Sequence, residues 1–214
     1  MSTPINQLIT DLEKSKSDTL NYAIKILPNG LKILFISDPD ANKSSASLGV
    51  NIGNLVDGLD VPGLAHFCEH LLFMGTEKYP SENDFAEYLS KNSGRYNAHT
   101  SSDKTVYMFE VSNEGFEGAL DRFAQFFNCP LFNEGSVERE INAVDSEFKK
   151  NKNLDTWRNY QLFKSLLAKG SPFTQFSTGN KQTLNHPDIR DRLLKMYNKY
   201  YTSEIMNLVV YTKL

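Results

Sequence analysis

Cysteine, arginine and long apolar runs are scarce in this sequence, and each scarcity excludes a class of protein. Cys68 and Cys129 are the only cysteines among 214 residues, too few for a disulfide-stabilised secreted domain. No apolar run approaches the ~20 residues of a membrane-spanning helix. The first arginine is Arg95, whereas transit peptides are rich in arginine, and the N-terminus lacks the apolar core of a secretory signal. We therefore expect a cytoplasmic protein without a membrane span.

The charge is also nearly balanced, with 23 basic residues against 26 acidic ones and a formal net charge of −3. This balance offers no basic surface for nucleic acid or for anionic lipid. Apolar residues make up 40% of the chain and aromatic residues 12%, which excludes disordered and collagen-like proteins. A chain of this length is expected to bury a substantial core.

Alternating apolar residues predict strands, and the tripeptide Pro28-Asn29-Gly30 predicts a hairpin turn between the first two of them. The predicted strands are 22–26, 31–35, 46–52, 94–101, 105–111 and 206–212. Because the last of these ends almost where the sequence ends, it would leave an open strand that is normally covered or extended. We therefore expect the chain to be truncated at its C-terminal end.

Helical periodicity predicts helices at 63–74, 81–91, 114–128, 134–168 and 187–200. Ser81 and Asp84 resemble a capping box that opens the second of these helices. Strands and helices do not alternate strictly, which favours an α+β fold with a largely antiparallel β-sheet and packed helices. With no internal repeat or linker, we expect an N-terminal arm at 1–20 and one domain at 21–214.

The strongest chemical signal is the pentapeptide His66-Phe67-Cys68-Glu69-His70. On a helix, the two histidines lie about 40° and one turn apart, so both imidazoles can reach one point. Glu69 lies at the edge of the same face, whereas Cys68 points away. This pattern suits two nitrogen ligands for Zn²⁺ with a carboxylate beside them as base.

The alternative is an amphipathic helix with incidental histidines, but the segment is strongly apolar, and burying unpartnered histidines and a glutamate there is costly. A structural zinc site is a weaker alternative, because such sites usually close four ligands and favour cysteine. Cys68 is expected to be a buried thiol of the core.

A three-ligand site needs one more donor, and spacing alone leaves its identity open. His99 lies in a predicted strand and His186 in a predicted loop, so neither has a clear geometric claim. The helix that begins near residue 134 carries an apolar stripe with two acids on each side. These acids are Glu140 and Glu147 on one side and Glu138 and Asp145 on the other.

The order His-x-x-Glu-His, with its flanking residues, resembles the pitrilysin family of zinc metallopeptidases (the inverzincins), and in particular its insulin-degrading-enzyme branch. The likeness covers nearly all of the chain from about residue 22. The segments that carry it are 63–76, 79–83, 93–98, 117–127, 129–132, 140–147 and 177–180.

The resemblance implies a pitrilysin-type α/β roll and a zinc-dependent endopeptidase that hydrolyses peptides and small unfolded polypeptides. It makes His66, His70 and Glu147 the zinc ligands and Glu69 the catalytic base. It also marks Glu140 as an auxiliary carboxylate near the site.

For substrate binding, the resemblance implies that peptides dock along an edge strand at Asn97 and Ala98. The alternative is that this strand is only part of the sheet scaffold. Arg95 and Tyr96 stand where small residues are common in this branch, which is expected to alter the substrate edge.

The resemblance also implies that the remaining domains of a longer chain, or a complementary half, act as partners. Members of this branch are several times longer, and their second half supplies further substrate-binding groups. A non-catalytic fragment that binds peptides or docks against such a half is therefore the alternative to an active enzyme.

Overall fold

The computed structural model describes residues 7–213, and its framework is one seven-stranded sheet. The strands are β1 (Gln7–Ile9), β2 (Asn21–Ile26), β3 (Lys32–Ser37), β4 (Lys43–Val50), β5 (Arg95–Thr100), β6 (Thr105–Ser112) and β7 (Met206–Thr212). Their order across the sheet is β1-β2-β3-β7-β4-β6-β5. Every neighbouring pair is antiparallel except β3 and β7. The predicted α+β class with a largely antiparallel sheet is confirmed.

The helices are α1 (Leu64–Leu72), α2 (Asp84–Lys91), α3 (Phe116–Gln125), α4 (Glu134–Asn151), α5 (Asp155–Ser165), α6 (Lys181–Leu184) and α7 (Ile189–Tyr200). Of these, α1 packs against β5 and β6 on one side and against α4 on the other. Within residues 7–213, none of the helices combines the length and the apolar character that a membrane span requires.

One predicted helix, 134–168, is wrong in its extent, because the structure divides it between α4 and α5. Lys152 ends α4 in a helical conformation, but Leu154 is extended, with φ −92° and ψ 128°. Asp155 is the first residue of α5, and its negative charge stabilises the helix by interacting with the unpaired N–H groups of the first turn. Two asparagines at the junction also weaken the helix locally, since asparagine is a poor helix former.

The predicted capping box at the start of α2 is also wrong. The helix begins at Asp84, after Asn83, and no side chain caps it. Ser81 instead accepts a hydrogen bond from the Asp84 N–H through its backbone carbonyl, at 3.1 Å, which forms a turn. A capping box does occur before α6, where Asn180 and Thr183 satisfy each other's backbone N–H groups.

The pairing of the last strand also differs from expectation. β7 lies inside the sheet and pairs with β3 on one side and with β4 on the other, so it presents no open edge. At the other end, residues 7–9 of the predicted arm pair with β2 as an outer strand. Residues 1–6 of that arm and Leu214 lie outside the described residues.

The core lies between one face of the sheet and the helices. Alternate residues of β4 and β6 are buried, as period-two patterning requires. Phenylalanines fill the space beneath α1, α2 and α3, with ring centroids 4.9–6.4 Å apart among Phe85, Phe123 and Phe126. Each buried phenylalanine stabilises the fold by roughly 1.5–3 kcal/mol. Phe73, which directly follows α1, packs against Phe85 and Phe126 and so joins the end of this helix to the cluster.

Candidate metal centre

The candidate site is built on α1, whose first turn is held from outside the helix. The carboxylate of Asp57 accepts hydrogen bonds from the backbone N–H groups of Gly63 and Ala65, both at 2.8 Å. These donors would otherwise have no partner at a helix N-terminus. Phe67 and Cys68 face the core and are fully buried, which leaves the opposite side of α1 facing a cleft.

Cys68 takes no part in the site, as its helical position predicted. Burial is the largest cause that raises the pKa of its thiol, to about 12. A thiol with so high a pKa is not a nucleophile near neutral pH.

The structure brings together His66, His70 and Glu147. Oε2 of Glu147 lies 3.7 Å from Nε2 of His66 and 3.5 Å from Nε2 of His70. One nitrogen or oxygen atom from each of the three side chains lies within 4.8 Å of the others. Within residues 7–213 these three form the one group of histidine, cysteine or carboxylate side chains placed to share a metal ion.

Each histidine is oriented by a hydrogen bond at its other ring nitrogen. Nδ1 of His66 donates to the carbonyl oxygen of Thr178 at 2.7 Å. Nδ1 of His70 lies 3.0 Å from Oε2 of Glu140 and donates to that carboxylate. Because Nδ1 is engaged in both rings, Nε2 is left to face Glu147 in both, which is the arrangement found around metal-binding histidines.

The helix α4 supplies the carboxylates from one side only. Glu140 and Glu147 are about two turns apart, so both face α1. On the other side of the stripe, Asp145 accepts a hydrogen bond from the Lys181 N–H and pairs with Lys149, and Glu138 is exposed to solvent. Of the two pairs that periodicity left open, the structure thus brings only the first to the histidines.

The charges of His70, Glu140 and Glu147 stabilise one another. Burial acts to lower the pKa of His70, but hydrogen bonds with Glu140 and Glu147 outweigh it and raise the pKa to about 9. The hydrogen bond from His70 in turn lowers the pKa of Glu147. The two carboxylates therefore stabilise positive charge between the helices, which is the electrostatic condition that a divalent cation requires.

The donor set fits zinc. Zinc binds imidazole nitrogen and carboxylate oxygen at ~2.0–2.2 Å, which separates neighbouring ligand atoms of a tetrahedral site by roughly 3.4 Å. The two Nε2–Oε2 distances, 3.5 and 3.7 Å, are close to that separation. Three protein ligands would leave a fourth position for water or substrate, as in catalytic zinc sites.

Glu69 lies beside this cluster and is 6% exposed. Its Oε2 accepts a hydrogen bond from Oγ1 of Thr100 at 2.5 Å, which leaves Oε1 without that constraint. Thr100 was not among the predicted site residues, although it lies two residues after Ala98 on the same predicted strand and therefore on the same face.

The cluster opens into a cleft of about 910 Å³. One wall is β5, which forms one edge of the sheet, with Asn97 and Ala98 in its middle. Two aromatic side chains of α5, Trp157 and Tyr160, form another wall, and neither was among the predicted site residues. His99 lines the cleft but is not in the metal-binding group, and neither is His186.

Comparison with known proteins identifies the family of this fold and site. The model of the family described as Insulinase (Peptidase family M16) matches residues 32–170, about two-thirds of the chain. The chain belongs to the M16 family. The expected resemblance to pitrilysin and insulin-degrading enzymes is thereby confirmed.

Individual M16 proteins agree with this assignment. Insulin-degrading enzyme of Mus musculus is 50% identical over 98% of this chain, and A-factor-processing enzyme of Saccharomyces cerevisiae is 52% identical over 94%. A crystal structure of pitrilysin superposes with a TM-score of 0.94 at 36% identity, over 98% of this chain. The chain spans only about a fifth of the length of these relatives, 20–23%.

Proposed function

We propose that this chain is the zinc-binding catalytic domain of an endopeptidase that hydrolyses peptides and small unfolded polypeptides. The observation that carries the proposal is the convergence of His66, His70 and Glu147, with Glu69 beside them in the same cleft. Membership of a peptidase family supports it independently.

In the proposed reaction, the three converging side chains hold the metal ion. Bound zinc would polarise the scissile carbonyl and make a water molecule acidic near neutral pH. Glu69 takes a proton from the attacking water and delivers it to the departing amine nitrogen. Thr100 donates a hydrogen bond to one oxygen of Glu69, and the other oxygen is the proposed proton acceptor.

Glu140 has a supporting role in this proposal. Its carboxylate accepts the Nδ1 proton of His70, which fixes the ring and makes Nε2 a better donor. It acts through His70 and is not expected to touch the substrate.

We further propose that the substrate binds as an added strand along β5, opposite Asn97 and Ala98. β5 pairs with β6 on one side, and among residues 7–213 no strand pairs with its other side. An extended peptide can satisfy those backbone groups by β-augmentation, which would lay it across the mouth of the metal cluster.

The decisive experiment separates metal binding from hydrolysis. Glu69→Gln should retain one zinc per chain, measured by elemental analysis, because Glu69 is not among the proposed ligands. In the full-length protein, the same variant should lose ~10²–10⁴-fold in the cleavage rate of a quenched-fluorescence peptide, since the proton acceptor is gone. Undiminished cleavage would refute the assignment of the base.

The second candidate is a non-catalytic piece that binds peptides or docks against further domains. It is favoured by the fact that the chain spans about a fifth of its relatives. We propose that the remaining domains of a longer chain, or a complementary half, complete the enzyme, so the 214-residue chain alone should cleave the quenched peptide only weakly. Rapid, chelator-sensitive cleavage by the isolated chain would overturn this expectation.

We propose that the protein is located in the cytoplasm. Cell fractionation with detection of the endogenous protein tests it directly.

A further inference from the structure

The outer strand β5 carries one large aromatic side chain on the face that looks toward the metal cluster. Thr100 contacts Glu69 from this face, and alternation along a strand places Ala98 and Tyr96 on the same face. These three side chains therefore form a row along one wall of the cleft, with Thr100 nearest the proposed base and Tyr96 farthest from it.

Tyr96 is held in place by other aromatic rings. Its ring centroid lies 4.8 Å from that of Phe73 and 5.5 Å from that of Phe85. Phe73 packs in turn against Phe126 at 5.3 Å. The ring is thus supported by the core on one side, while 41% of the residue remains exposed.

The geometry points to Tyr96 as a residue that determines substrate specificity, by contacting a large apolar or aromatic side chain of the bound peptide. In a pair of strands, directly opposed residues have Cβ atoms ~4.5–5.5 Å apart, so the substrate residue opposite Tyr96 would meet this ring. The side chain of that substrate residue would pack on the Tyr96 ring and lose contact with water. A polar side chain there would lose hydration without gaining a partner.

The position of this contact relative to the reacting bond follows from strand geometry. Each residue of a strand advances ~3.3 Å, so Tyr96 lies roughly 13 Å along β5 from Thr100. The substrate residue that meets Tyr96 is therefore four residues from the one opposite Thr100 and on the same face. The contact selects a side chain away from the reacting bond. It acts on binding, and the proton transfer is unaffected.

The inference rests on the proposed function only in taking β5 as the strand that receives the peptide. It needs neither bound zinc nor hydrolysis. It can therefore be tested on the metal-free chain, and a failure of zinc binding or of cleavage would leave its result unaffected.

The test measures peptide binding to the Glu69→Gln chain in the presence of a chelator, by fluorescence anisotropy. Two short fluorescein-labelled, threonine-rich peptides are compared that differ only in one central residue, phenylalanine or serine. We expect the phenylalanine peptide to bind ~3–10-fold more tightly, the scale of one additional aromatic contact.

Substitutions on β5 assign that preference to Tyr96. Tyr96→Ser should reduce it to less than about twofold, whereas Tyr96→Phe should keep it, because the ring is retained. Arg95→Ser is the matched control, since Arg95 lies on the opposite face of the strand and pairs with Glu110. Thermal melting verifies that all three variants fold.

Three results would overturn the inference. The first is equal binding of the two peptides by the chain that keeps Tyr96. The second is a preference for the phenylalanine peptide that survives in Tyr96→Ser. The third is no measurable binding of either peptide, which would also remove β5 as the docking strand while leaving the zinc site and the base untouched.

Discussion

Individual side chains in this site have divided tasks. Each histidine uses Nδ1 for a hydrogen bond that sets its ring orientation, His66 with the Thr178 carbonyl and His70 with Glu140. Among residues 7–213, Glu147 is then the acid that approaches both Nε2 atoms. Removing a group that only orients a ligand typically costs 10–100-fold in metal affinity, so loss of a ligand should cost more.

The proposed third ligand can be tested by substitution of acids on the same helix. Glu147→Gln should weaken zinc binding by more than ~100-fold, because one of three donors is lost, and Glu140→Gln by ~10–100-fold, because only the orientation of His70 is disturbed. Competition with a chromogenic chelator measures both affinities.

Asp145→Asn and Glu138→Gln are the matched controls on α4. Each removes one negative charge from the same helix but from outside the cluster, since Asp145 bonds to Lys149 and Lys181 and Glu138 is exposed. Equal losses of zinc affinity across all four variants would leave Glu147 without support as a ligand.

Thr100 should act on catalysis only through Glu69. Thr100→Val removes the hydroxyl while keeping the shape, so Glu69 loses its hydrogen bond and its fixed orientation. We expect kcat of the full-length protein to fall by ~10-fold, the scale of one hydrogen bond to a charged group, with KM and zinc content little changed.

The conservative variant distinguishes this positioning role from a structural one. Thr100→Ser retains the hydroxyl and should restore most of kcat. Ser44→Ala removes a buried hydroxyl that bonds to Asn113 and Thr212 outside the cleft, and it should lower the melting temperature without the same loss of kcat. A Thr100→Ser enzyme as slow as Thr100→Val would argue against the hydrogen bond as the cause.

At the scale of elements, the position of α1 depends on a close approach between two loops. Gly63 precedes α1 with φ +97°, and a Cβ atom there would lie 2.3 Å from the Cα of Gly179. Gly179 follows Thr178, whose carbonyl accepts the hydrogen bond from His66. The contact of these two backbones therefore determines whether His66 keeps its orienting partner.

Gly63→Ala should disrupt this contact. The added methyl group must push the 178–179 backbone away, and the left-handed φ adds strain of ~1–2 kcal/mol. We expect the melting temperature to fall and zinc affinity to drop by ~10–100-fold as His66 loses its acceptor.

Gly170→Ala provides the comparison. Gly170 also has a left-handed φ, +86°, but a Cβ atom there would meet no atom within 4 Å. It should show the backbone strain alone, with zinc affinity unchanged. If both variants lost zinc affinity equally, the close approach at Gly63 would not be the cause.

At the scale of the whole molecule, a buried carboxylate links folding to pH. Asp57 is 6% exposed, and burial raises its pKa to about 7 despite the hydrogen bonds from the Ala65 and Gly63 N–H groups and the nearby charge of Lys164. The unfolded chain has the ordinary pKa of 3.8. Between these two values the folded protein holds a proton that the unfolded chain has released.

Stability from this group should therefore fall as pH rises from about 4 to about 7 and then level off, because the folded state binds more protons in that window. Asp57→Asn, which resembles the protonated acid, should lack this slope. Relative to the variant, the wild type should lose about 4 kcal/mol of unfolding free energy across this window, measured by urea unfolding of the metal-free chain. If the stability of the wild type relative to that of the variant instead rises with pH, the helix N–H groups outweigh burial.

The sequence predicted most of the elements, and its errors have identifiable causes. Period-two patterning located six of the seven strands, because a half-buried strand must alternate. It could not reveal that β7 pairs with β3 and β4, since that pairing joins segments from opposite ends of the chain. The break between α4 and α5 was missed because both helices have amphipathic patterns, and one extended residue, Leu154, interrupts them.

What the sequence determined by itself is the arrangement of His66, Glu69 and His70. Their spacing fixes their directions on any α-helix, because each residue turns the chain by about 100°. Only the tertiary structure decided the rest. Glu140 and Glu147 mirror Glu138 and Asp145 across one apolar stripe, so periodicity treats the two pairs alike. The packing of α4 against α1 breaks that symmetry, because only one side of the stripe can face the histidines.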